Sequence, residues 1–131
     1  MGDSLASKAI LSSRHYYAMN IFYGNSDGRT NVPNDAPVQA TLDTALKVFQ
    51  GLTAGSGFMG INLDERFVVQ FMPRTRGGVR VELLDTSQPA FDACVADAEF
   101  AESLIRAAAS GLNVFEIARN SKYEWEHTDL A

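Results

Sequence analysis

Residues 57–84, GFMGINLDERFVVQFMPRTRGGVRVELL, decide the fold. Within them Met59, Ile61 and Leu63 alternate with Phe58, Gly60 and Asn62. Phe67, Val69 and Phe71 alternate with Arg66, Val68, Gln70 and Met72, and Val79, Val81 and Leu83 alternate with Arg80, Glu82 and Leu84. Successive side chains of a strand point to opposite faces, so this period of two predicts three antiparallel strands with one apolar and one mixed face. Asp64-Glu65 makes the first turn. Gly77-Gly78 can supply the positive φ values of a tight second hairpin, and Pro73, which has no N–H donor, suits a strand end.

Working outward, His15, Tyr17, Met19, Ile21 and Tyr23 alternate with Tyr16, Ala18, Asn20 and Phe22, which predicts an aromatic-rich strand over 15–23. The turn formers of GNSDGRTNVPND make 24–36 a long loop whose spacing does not match a calcium loop. Asp35 reads as an N-cap and Pro37 as a first-turn residue of a helix over 37–52. Its apolar stripe is Val38, Leu42, Ala45, Phe49 and Leu52, and Gly51 and Gly55 end it. Beyond the meander, 90–96 reads as a strand or a helix, the strand being preferred. Asp97 caps a second helix with Glu99 in its first turn and a stripe of Phe100, Leu104, Ala107 and Ala108, which Gly111 stops. Asn113 with Glu116 resembles a capping box for a short helix, VFEIAR. Residues 1–13 are either a frayed end or a short helical turn over 4–12, and 120–131 form a tail. The expectation is one α+β domain over 1–131. It consists of an antiparallel meander of four to five strands in a single-layer sheet, with two main helices on one face. Phe49, Val69, Phe71 and Val81 are expected in the core.

A hydrophobic fraction of 46% with 21% charged residues supports a packed core in a chain of 131 residues. The single cysteine, Cys94, excludes an intrachain disulfide and fits a reducing compartment. No apolar run reaches the roughly 20 residues of a membrane helix, and MGDSLASKAILSS is a poor signal peptide. A cytoplasmic location is therefore expected. The net charge of −5 is uneven: residues 1–84 carry eight basic and seven acidic side chains, residues 85–131 three basic and nine acidic. An acidic half repels nucleic acid and membranes and steers a basic protein partner, unless the charge serves only solubility.

Gly55-Ser56-Gly57-Phe58-Met59-Gly60 spells G-x-G-x-x-G, but it follows a helix and opens a strand, the reverse of the dinucleotide arrangement. Helix end and connector is its reading. His15, His127 and Cys94 are too few and too scattered for a zinc site, and no cofactor is expected. Cys94 between Ala93 and Val95 reads as a small buried hydrophobe rather than a nucleophile. Arg74, Arg76 and Arg80 at the second hairpin offer a phosphate- or RNA-binding tip. Pairing with the acidic half or plain solvation competes with it, and the acidic chain lacks a nucleic-acid footprint. In the tail, Tyr123 and Trp125 lie among Glu116, Glu124, Glu126 and Asp129, either as an interface anchor ringed by charge or as aromatics docked on their own domain.

The meander, the helix that stops at Gly111 and the terminal Tyr-Glu-Trp-Glu together resemble, over roughly residues 57–127, small bacterial α+β immunity proteins of the Imm1 type. That resemblance implies a non-enzymatic protein that neutralises a toxin by binding it through acidic surface. Size, acidity and element order are also similar to the small acidic chaperones of type III secretion. Those form homodimers and present apolar sheet patches, here Phe58, Val68, Met72 and Leu84, to an unfolded client. The expected function is thus a binding module for a basic protein partner, with a dimeric chaperone second and a small enzyme third.

Overall fold

The computed structural model describes residues 16–25 and 31–130; the expected N-terminal turn, His15 and the middle of the 24–36 loop lie outside them. In chain order the elements are β1 (Met19–Gly24), β2 (Val38–Ala40), α1 (Leu42–Gln50), β3 (Phe58–Asn62), β4 (Phe67–Pro73) and β5 (Val79–Asp85). They are followed by β6 (Ala90–Ala96), α2 (Ala98–Ala109), α3 (Val114–Arg119) and β7 (Glu126–Asp129). The seven strands form one antiparallel sheet in the order β2-β1-β3-β4-β5-β6-β7.

The α+β class and the antiparallel sheet are as expected; the strand count of four to five is too low. Two elements account for the difference. Val38–Ala40, expected to open a helix at an Asp35 cap, instead pairs with β1 in the register Met19↔Ala40 and Ile21↔Val38. The helix begins after Thr41, whose hydroxyl accepts the Thr44 N–H at 3.2 Å, and ends at Gly51. Val38 lies four residues before Leu42, so helical spacing could not separate the two states. Hydrogen bonds to the edge of β1, which among the described residues Val32 bridges only at Tyr23, decide in favour of the strand. The tail likewise ends in β7, which pairs with β6 through Ala93↔Glu126 and Asp92↔His127. The strand reading of 90–96 holds, as do the caps of the later helices: Asp97 accepts from Phe100 N–H and Asn113 from Glu116 N–H.

The registers align one face across the sheet. Ile21, Ile61, Val69 and Leu83 pair in a row, and Met59, Phe71, Val81 and Cys94 form a second row. All eight are buried in one cluster with Ala45 and Phe49 of α1, Ala101, Leu104 and Ile105 of α2, and Val114, Phe115 and Ala118 of α3. Phe49 meets Phe71 edge-on at 5.8 Å between ring centroids, and Phe67 meets Phe115 at 4.9 Å. Each large side chain removed from water here contributes roughly 1.5–3 kcal/mol.

The opposite face bears Phe22, Phe58, Gly60, Val68, Gln70, Met72, Arg80, Glu82, Leu84, Phe91 and Val95, and no helix of the described residues packs over it. Its first strands are self-covering. Phe22 lies directly across from Gly60, where an added Cβ would sit 2.0 Å from its ring tip, and Phe58 lies over Gly24, where the same test gives 2.7 Å. A glycine on one strand accepts the ring of its neighbour, which buries Phe22 without a second layer. Gly77 and Gly78 turn the β4–β5 hairpin with φ of +91° and +78°, as the hairpin required.

Candidate functional site

The acidic tail divides in space. Glu124, Trp125 and Glu126 come together with Val95 and Arg80 around a shallow depression of about 400 Å³ at the β6–β7 side of the open face. Glu126 pairs with Ala93 and Arg80 with Val95, so the sheet register itself brings these residues to one face. Val95 is 45% exposed. Among the described residues neither Glu124 nor Glu126 has a side-chain hydrogen bond or ion pair. The Arg80 guanidinium, by contrast, is held: its Nε–H donates to Glu82 at 2.9 Å, and the group lies 5.9 Å from the centre of the Phe91 ring. Its charge is neutralised at the floor while the two carboxylates at the rim stay available.

The aromatics of the tail dock on their own chain. Trp125 is half-buried against the core, and its indole N–H donates to the Ala118 carbonyl at 3.0 Å, closing the end of α3. Tyr123 packs on Phe100 at 4.8 Å, and its hydroxyl accepts the Asp97 N–H at 3.3 Å. Trp125 therefore forms a wall of the depression and not a projecting anchor. Glu116 lies apart, on α3 beside a larger hollow of about 830 Å³ that also includes Asp64, Phe67 and Arg119. Asp129 sits at the far end of β7.

There it meets a cluster that sequence spacing did not suggest. His127 Nδ1 is 2.6 Å from Asp92 and Nε2 is 3.0 Å from Asp129, while Arg119 of α3 reaches Asp92 at 3.2 Å. A carboxylate only accepts, so carboxylates at both ring nitrogens are satisfied together by the protonated imidazole. Asp92 first and Asp129 second thus raise the His127 pKa above its ordinary value. With both nitrogens committed, the ring offers no lone pair to a metal or a nucleophile. Cys94 is buried in the core, and desolvation pushes its pKa up to about 11, which disfavours the reactive thiolate. Among the described residues no group of three or more His, Cys, Asp or Glu is placed to hold a metal ion, and no helix is long and apolar enough to cross a membrane.

The basic tip is also placed. Arg74 and Arg76 are exposed, and among the described residues neither side chain has an ion pair or hydrogen bond; with Arg80 they line a cleft next to Phe58. The pairing of these arginines with the acidic half holds for none of the three, since Arg80 is neutralised within its own strand.

Comparison with protein families, curated proteins and solved structures returns no match.

Proposed function

We propose that the chain is a non-enzymatic protein-binding module of the inhibitor or immunity type, which receives a basic side chain of a folded partner in the depression between Glu124, Trp125 and Glu126. The observation that carries this reading is the pair of carboxylates, without a partner among the described residues, flanking an exposed Val95. A lysine or arginine of the partner lays its methylene stem on Val95 and the Trp125 wall and brings its charge to the rim. The apolar contact slows dissociation, and the carboxylates accelerate encounter with a basic surface. The buried, high-pKa Cys94 and the doubly bonded His127 support a role without covalent chemistry.

Immobilised protein tests this against cell extract at low salt. The captured partner is basic, is released by added salt, and is lost from a Glu124→Lys/Glu126→Lys variant that melts like the wild type. Capture of the same partner undiminished by the charge reversal contradicts the reading.

A second reading, the dimeric chaperone for an extended apolar client, is favoured by Phe58, Val68, Met72 and Leu84 on the uncovered face. Light scattering separates the two: a strict monomer removes the chaperone and leaves the inhibitor intact.

A further inference from the structure

At the β3–β5 end of the same face, a cleft of about 680 Å³ opens between the loop before β3 and the β4–β5 hairpin, in the range of small-ligand sites. Its two walls are far apart in sequence and are tied together: Gly55 N–H donates to the Pro73 carbonyl at 2.9 Å, and Arg74 N–H closes the hairpin on the Gly78 carbonyl at 3.0 Å. Gly55 has φ of +88°, and a Cβ there would sit 2.6 Å from Thr75 Cγ2, so only glycine lets the loop lie against the hairpin. The loop amides do not form a phosphate cradle, because the N–H groups of Gly55, Ser56 and Gly57 already donate to Pro73 and Thr53 carbonyls. Anion recognition falls instead to guanidinium groups.

Arg74, Arg76 and Arg80 converge on this cleft in a chain of net charge −5. Among the described residues the first two have no ion pair, so two like charges line one cleft without a partner carboxylate there. Beside them Phe58 keeps 36% of its surface exposed, its ring set in place over Gly24, with Met72 and the Gln70 amide alongside. Forked cationic donors next to a fixed, exposed aromatic ring are the two halves of a nucleotide site: guanidinium for phosphate, ring for base.

We propose that this cleft binds a nucleoside phosphate, with Arg74 and Arg76 holding the phosphate and Phe58 stacking the base. The site uses residues other than Glu124, Glu126 and Val95, so it stands or falls separately from the protein-binding reading.

Calorimetric titration of the full chain with ADP, adenosine, inorganic phosphate and a glutamate-rich peptide tests it. ADP binds saturably, and adenosine and phosphate each bind at least about tenfold more weakly, because each supplies half of the recognition. Arg74→Gln/Arg76→Gln, at exposed positions that leave the melting temperature unchanged, weakens ADP by about tenfold or more and flattens its salt dependence. Phe58→Leu weakens ADP and leaves phosphate unaffected. The proposal is overturned by any of four results. These are no saturable ADP binding at millimolar ligand, ADP affinity unchanged in R74Q/R76Q, phosphate binding as tightly as ADP, or the acidic peptide binding more tightly than ADP.

Discussion

The two faces of the sheet are made by the same strands and have opposite fates. In β4, Phe71 is fully buried under α1, while Met72, one residue on, lines an open cleft. In β5, Val81 is fully buried, while Arg80 and Glu82 on either side pair with each other in the open. The covered face is apolar through its central rows, turns polar only where Leu83 is followed by Asp92 and His127 at the β6–β7 side, and is finished by three helices. The open face mixes aromatic, aliphatic and charged side chains, and it sets two of its rings, Phe22 and Phe58, on glycines. On the proposed reading, stability and recognition are separated by a single step along the central strands. A change on one face should be read in a melting curve, and a change on the other in a binding curve.

The contrast breaks first if core and open-face aromatics respond alike. Phe71→Ala leaves a cavity under Phe49 and should cost about 3–5 kcal/mol in denaturant unfolding. Phe58→Ala, on the open face, should cost under about 1.5 kcal/mol, since its ring already faces water on one side. Equal losses would mean that the open face is part of the core. Trp125→Ala comes next: it removes half-buried contact and the hydrogen bond to Ala118, and should lower stability by about 2 kcal/mol. An unchanged melt would detach the indole from the fold and return it to the interface.

A smaller effect sharpens the β7 edge. His127 has a raised pKa in the folded protein, so its contribution to stability is complete below its ordinary value of about 6.5 and is lost as pH rises through the folded value. The melting temperature should therefore fall over that window, and His127→Gln should flatten the decline. Titration of the imidazole by NMR should place its midpoint above about 6.5; a midpoint below it would mean that Asp92 and Asp129 do not hold the ring in solution.

The covered face was legible because burial writes itself as alternation: Met59, Ile61, Val69, Phe71, Val81 and Leu83 all face the helices as their parity requires. β2 was not legible, because three residues carry too little periodicity and Val38 also extends the stripe of α1. Only long-range pairing with β1 distinguishes the two states. At the candidate site, Glu124, Trp125 and Glu126 were recognisable as a group because they are consecutive, whereas Val95 joins them from β6 through strand register. Glu116 and Asp129 looked like members of that group by nearness in sequence, but a helix and a strand carry them to different places. The Asp92–His127–Asp129 cluster required the β6–β7 pairing, and the alternation of Glu126, His127, Thr128 and Asp129 could have hinted that two of them share a face.

The separation of the two faces is tested most directly by one variant, Val95→Ser/Glu124→Gln/Glu126→Gln, measured in parallel for thermal stability and for association with the captured basic partner. The expected result is a melting temperature close to that of the wild type, with slower association, faster release and little remaining salt dependence. A large drop in melting temperature, or partner binding with unchanged rates, would contradict it.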